Sequence, residues 1–211
     1  MPADPDLHSA PRRRRFGLVA RWLGLGLALS LLTGCLVDSK NPIAPPSADA
    51  VDPEILGSWG TRGDDGAVFF HVFQPTGGVP GAVEVIAVGF EKDKSGSIDR
   101  YCGHLSRIEK QHFINLVGPV EDCAKTEGEP YFFVAYDRTL DGVLTIRLMR
   151  EEAVKKAIGS GKLAGDKDAG GGPTAHITAE SAAIRAFILA DTGGLWDRAL
   201  APLRRVEPPG N

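Results

Sequence analysis

Between residues 56 and 150 the apolar positions come in short runs, and each run stops at a cluster of glycine, proline or aspartate. That spacing predicts strands rather than helices. Segment 56–61 is the first, followed by the turn Arg62-Gly63-Asp64-Asp65-Gly66. Segment 67–74, rich in valine and phenylalanine, ends at Pro75-Thr76-Gly77-Gly78. Segment 82–91 ends at Lys92-Asp93-Lys94-Ser95-Gly96. Segments 98–108 and 112–117 form a hairpin around Glu109-Lys110-Gln111. Residues 121–129 read as a polar loop, and 131–138 and 143–150 flank Asp141-Gly142, a strong hairpin signal. Leu144, Ile146 and Leu148 alternate with Thr145 and Arg147, which predicts one buried and one solvated face. About seven short strands in a meander call for a strongly curved sheet or a barrel, because closure limits exposed edges.

The period changes after Arg150. Residues 151–158 read as a helix, with acidic residues in its first turn, lysines later, and Gly159 and Gly161 as stops. Residues 167–173 are a glycine-rich loop, and 174–177 a short strand. Thr178 is expected to cap a helix reaching about residue 190, with Ile184, Phe187 and Ile188 on one face and Gly193-Gly194 beyond its end. Helices are therefore expected on one side of the sheet or closing one end.

The N-terminal pattern differs from everything downstream. Arg12 to Arg15 and Arg21 precede an apolar run from Trp22 to Leu32, and Thr33-Gly34-Cys35 follows. The run is shorter than the roughly 20 residues a spanning helix needs. A basic segment, a short apolar run and small residues are the parts of an export signal. Leu32-Thr33-Gly34-Cys35 resembles the lipobox of bacterial lipoproteins. The resemblance covers residues 11–35 and implies that Cys35 is acylated and becomes the first residue of the exported protein, with residues 1–34 removed. Two acyl chains give stable attachment where one gives only marginal binding. Leu36, rather than an aspartate, favours the outer membrane. Arg13-Arg14-Arg15-Phe16 also resembles part of a twin-arginine signal, but Gly17 and Leu18 depart from it, so the general secretory route is expected. Residues 35–55, with Asn41-Pro42 and Pro45-Pro46, lack apolar periodicity and are expected to form an extended tether. That leaves 56–206 as one globular domain and 207–211 as a tail.

Charge and cysteine content follow from this division. The whole chain has 24 basic and 27 acidic residues, and removing five arginines and two aspartates leaves a body with a net charge of about −6. The arginine cluster belongs to the signal, and a mildly acidic body argues against nucleic acid as a partner. Cys102 and Cys123 remain, either as two buried thiols or as a disulfide. An oxidising compartment favours the disulfide, which closes a loop worth about 3 kcal/mol.

Leu56-Gly57-Ser58-Trp59 resembles the G-x-W opening of lipocalin-like barrels, and the resemblance extends from residue 56 to about 150. It implies that Trp59 closes one end of a barrel. The Thr-Asp-Tyr signature of that family is absent, Ala135-Tyr136-Asp137 being a poor substitute, and the tail after Arg150 departs from it. The whole exported chain is similar to a group of uncharacterised bacterial lipoproteins with this opening and a late Ala-Ile-x-x-Gly-Lys-Leu segment, here residues 157–163. That similarity implies location and architecture and no reaction.

Motifs for chemistry are sparse. His71, His104, His112 and His176 fall in no H-x-H, H-E-x-x-H or Cys/His zinc spacing. There is no G-x-S-x-G and no S-x-x-K. Asp93-Lys94-Ser95-Gly96-Ser97 lacks the alternating ligands and final glutamate of a calcium loop. Gly170-Gly171-Gly172 lacks the Lys-Ser/Thr of a phosphate loop. Asp64-Asp65 and Glu151-Glu152 suit a turn and a helix start. The phenylalanines at 69, 70, 73, 90, 113, 132 and 133 either pack a core or line an apolar pocket. Trp59, at the start of the first strand, is expected in the core.

The sequence thus predicts a mainly β chain with C-terminal helices (α+β). An antiparallel meander forms a curved sheet or lipocalin-like barrel, followed by helix–strand–helix. It predicts a membrane-anchored envelope lipoprotein acting as a non-catalytic binding or accessory module, without cofactor or metal. The expected partners are membrane lipid through Cys35 and a small apolar ligand or an envelope protein. A structural or protein-interaction lipoprotein is the alternative, with an envelope hydrolase third.

Overall fold

The computed structural model describes residues 37–92, 95–168, 175–197 and 199–206. The N-terminal segment read as an export signal, Cys35, Asp93-Lys94 and the triple glycine at 170–172 lie outside the described residues. The strands are β1 (Asp38–Ser39), β2 (Gly57–Gly63), β3 (Gly66–Phe73), β4 (Ala82–Glu91), β5 (Ser97–Ile108), β6 (Gln111–Val117), β7 (Tyr131–Arg138), β8 (Val143–Leu148), β9 (Gly165–Asp166), β10 (His176–Ile177) and β11 (Leu203–Arg205). The helices are α1 (Glu151–Gly159) and α2 (Ser181–Leu189).

Strands β2 to β8 pair in chain order as an antiparallel meander. Strand β11 then lies between β8 and β2 and closes an eight-stranded barrel. Period-2 alternation sends one set of side chains inward. Register fixes that set: Trp59 lies opposite Phe70, Phe70 opposite Ala87, Val85 opposite Tyr101, and Leu116 opposite Phe132. These residues, with Ile114, Val134, Leu144 and Leu203, form one core inside the barrel.

A second core lies outside the barrel. Ile108, Phe113, Phe133 and Ala135, on the outer face of β5, β6 and β7, pack with Val154 and Ala157 of α1 and Ile184 and Ile188 of α2. The wall at β6 therefore separates two cores, and Phe113 to Val117 are buried without interruption. Of these five only Asn115 is polar, and a near-continuous apolar run is what a strand covered on both faces requires.

The structure corrects three expectations. Residues 37–55 are not a spacer. Val37, Ile43, Ala50 and Ile55 are all buried, and β1 pairs with β7 on one side and β10 on the other. Buried polar groups hold this strap in place. The Ile43 N–H donates to Asn115 Oδ1 (2.8 Å), and His104 Nε2 lies 2.7 Å from the Ala44 carbonyl. On the helix side, Asn41 Nδ2 donates to the Ala179 carbonyl and Ser181 Oγ to the Pro42 carbonyl. Second, the tail is not helix–strand–helix: β9, β10, α2 and then β11 follow α1, and β11 completes the barrel. Third, α2 starts at Ser181 with Glu180 at its N-cap and no side-chain cap bond. Thr178 does not cap it: the Thr178 and Ala179 N–H groups both donate to the Ala164 carbonyl, and Glu180 intervenes before the helix begins.

Two local features shape the barrel. A Cβ on Gly103 would collide with the Asn115 carbonyl, so only glycine lets β5 and β6 approach this closely. Cys102 and Cys123 are joined by a disulfide with Cα atoms 5.6 Å apart. It fastens the short turn Cys123–Lys125 to β5.

Candidate functional site

One end of the barrel is plugged. The last residues of the strap, Asp52 to Leu56, lie across it. Trp59 is 1% exposed, and its indole N–H donates to the Ile55 carbonyl at 2.7 Å. The Arg205 guanidinium sits 4.6 Å from the Trp59 ring centre and donates to the Leu56 and Glu54 carbonyls. Cation–π contact and two backbone bonds thus tie the closing strand to the plug. Tyr136 donates from its hydroxyl to Asp52 Oδ2 at 3.0 Å, and His112 Nδ1 lies 3.9 Å from the same oxygen. Burial, with the Asp52 carboxylate second, pushes the Tyr136 phenol well above its ordinary value. Arg138 pairs with Glu54 at 3.1 Å.

The other half of the barrel is hollow. A cavity of about 360 Å³ is lined by Phe70, Val85, Tyr101, Ile114, Phe132 and Val134, among others. Half-buried Val68, Ile146 and Leu148 complete its apolar wall. Its mouth is rimmed by Asp65, Glu91, Lys92 and Leu200. The volume lies within the range of small-molecule sites, and an apolar wall with few polar groups is their usual chemistry. Tyr101 packs edge-on against Phe132, with ring centres 5.6 Å apart. Its phenol is pushed up to about 12, mainly by burial and secondarily by the Asp99 carboxylate.

The predicted residues separate by position. Phe70 and Phe132 line the cavity, with Phe90 at its rim. Phe113 and Phe133 belong to the outer core. Phe69 makes an edge contact with Phe90, and Phe73 a tilted ring contact with His71. The histidines are not brought together. His104 is buried under the strap, where desolvation holds its pKa below the ordinary value. His176 pairs with Asp38 at 2.5 Å. His71 Nδ1 lies 2.8 Å from Ser58 Oγ on the outer wall. A serine–histidine pair needs a third group behind the imidazole to act as a nucleophile set. Among the described residues no carboxylate bonds His71. Nor does any group of three His, Cys, Asp or Glu side chains there have metal-binding geometry. Asp64-Asp65 forms the β2–β3 turn, and Glu151 pairs with Lys155 at 2.6 Å in α1.

A second, more open depression of about 420 Å³ lies where the barrel wall meets the end of α2. Its charges are largely used in place: Asp137 bonds Arg147, and Asp191 accepts from the Gly194 and Leu195 N–H groups. Sequence reasoning missed Arg205 and Asp52 as plug residues, because neither lies in an apolar run. It also did not single out Tyr101, whose inward register was the available signal.

Fold and cavity together define a closed antiparallel barrel with a plugged end and an apolar interior open at the other. No family model matches the chain, and no curated protein or solved structure matches it. Among the described residues no helix is long and apolar enough to cross a membrane.

Proposed function

We propose that this chain is an exported lipoprotein, anchored through acylated Cys35, whose barrel holds a small apolar ligand without transforming it. The cavity carries the ligand half of the reading: about 360 Å³ of mostly apolar space in a barrel of otherwise filled core. The plugged end with Trp59, opposite the hollow half, supports a lipocalin-like use of the barrel. The Leu32-Thr33-Gly34-Cys35 motif supports the anchor, and Leu36 an outer-membrane address.

Both halves are testable. The full chain carrying Cys35→Ser should be lost from the membrane fraction, and unchanged fractionation and processing would refute anchoring. The same chain, purified without detergent, should bind N-phenyl-1-naphthylamine saturably, with a rise in its fluorescence. Val68→Trp and Leu148→Trp place extra ring volume in the cavity and should weaken that binding at least about tenfold, since little room remains for a second ring. Binding that both variants leave intact would refute the cavity as the site.

A further inference from the structure

Resting on that reading of the cavity, we infer that its ligand is a neutral apolar molecule bearing one hydrogen-bond acceptor, such as a ketone or ester carbonyl, which the Tyr101 hydroxyl recognises.

Tyr101 lines the cavity and is only 5% exposed. Its ring is held by the edge contact with Phe132. A Cβ on Gly118 would touch the ring's Cδ1, so the backbone beyond β6 also packs on it closely. Its hydroxyl, however, makes no hydrogen bond with any described residue, whereas Tyr136, the comparable buried tyrosine, is bonded to Asp52. Among the described residues Arg147 Nε is the one sealed side-chain polar atom without a partner, so the Tyr101 oxygen is not sealed off and keeps accessible surface with which to bond what enters the cavity. Few polar groups, here the Tyr101 and Thr61 hydroxyls, inside an apolar wall give orientation and specificity to a ligand site.

The charge of the ligand follows from the surroundings. Among the described residues the buried part of the wall carries no cation: Lys92 is at the exposed rim, beside Asp65 and Glu91. Asp99 lies on the same face of β5 as Tyr101 and acts on its phenol. A carboxylate carried past Lys92 into the apolar interior would lose its water with no positive partner there. A neutral carbonyl meets a phenol that stays protonated far above physiological pH and therefore donates.

The test uses the Cys35→Ser full chain with N-phenyl-1-naphthylamine as a displaceable reporter. The competitors are 2-nonanone, nonane and nonanoate, matched in chain length. In Tyr101→Phe, which keeps the ring, 2-nonanone should bind about threefold to tenfold more weakly, as expected for one net hydrogen bond. Nonane should be unaffected, and nonanoate should compete worse than the ketone in the parent. Failure of the reporter to bind at all would overturn the cavity reading itself. Reporter binding with equal ketone affinities in parent and variant would overturn the Tyr101 inference alone, and so would nonanoate matching the ketone. Should Tyr101→Phe not fold, the carbonyl stretch of 2-nonanone bound to the parent decides. A shift to lower frequency than in alkane solvent is expected, and an unshifted band overturns the inference.

Discussion

Replacing Trp59 with alanine should remove a large part of the stability of the barrel. A buried tryptophan removes roughly 200–250 Å² from water. At about 25 cal/mol per Å² that is about 5–6 kcal/mol, an upper bound because the unfolded chain already buries some surface. Truncations of buried aromatics to alanine typically cost about 3–5 kcal/mol. Two features place Trp59 toward the upper end. Its N–H satisfies the Ile55 carbonyl, and its ring is the platform for Arg205 of the closing strand. The guanidinium would remain fixed by the Leu56 and Glu54 carbonyls, so the plug cannot simply collapse into the vacated space. A loss of about 4 kcal/mol, with a urea dependence of about 2 kcal/mol per molar, lowers the unfolding midpoint by about 2 M. Far-ultraviolet circular dichroism of the Cys35→Ser full chain with and without Trp59→Ala measures it without depending on tryptophan emission. Trp59→Phe retains most of the ring and should lose about 1–2 kcal/mol, mainly the hydrogen bond. A Trp59→Ala midpoint within about 0.3 M of the parent would refute the plug as a load on closure.

Asn115→Ala should cost about 2 kcal/mol and expose the strap to proteases, because the buried Ile43 N–H loses its acceptor; an unchanged cleavage pattern near residue 43 would count against it. Burial holds His104 below its ordinary pKa, so the unfolded chain takes up a proton before the folded one does. Its share of stability is therefore full above about pH 6.5 and declines as the pH falls toward the lower folded value. Urea titrations in that window should show a flatter pH dependence for His104→Gln than for the parent, and equal slopes would refute the assignment. Replacing Cys102 and Cys123 together with alanine should lower stability by about 3 kcal/mol. Thiol labelling of unfolded, unreduced parent should find neither cysteine free, and labelling of both would refute the bond.

The meander was legible because its signal is local. Strands β4 and β7 begin and end where alternation and turn residues place them, and α1 lies where its acidic start and lysines put it. Contacts whose partners are distant in sequence were not legible. Strand β11 offers one buried apolar residue, Leu203, between a proline and two arginines. Nothing in that pattern reveals that Arg205 faces a tryptophan on β2. The strap has the same character. Val37, Ile43, Ala50 and Ile55 follow no period, since each is buried by a different part of the fold. Its usable trace lay elsewhere: His104, Ser106 and Asn115 are polar residues in or beside the mostly apolar segments 101–105 and 113–117. The cavity was anticipated only as one of two uses for the phenylalanines, because a filled and a hollow barrel share the same alternation.

The strap also fixes how load reaches the body. Cys35 stands two residues before Val37, and two residues reach at most about 7 Å. A pull at Val37 passes at once into β1, which is bonded to β7 and β10 and continued by the Lys40 N–H to the Ile177 carbonyl. From there it travels through Asn41 and Asn115 into the helix layer and the barrel wall together. A group attached at Cys35 would be mechanically coupled to the wall shared by both cores, since at most about 7 Å of chain lies between it and Val37.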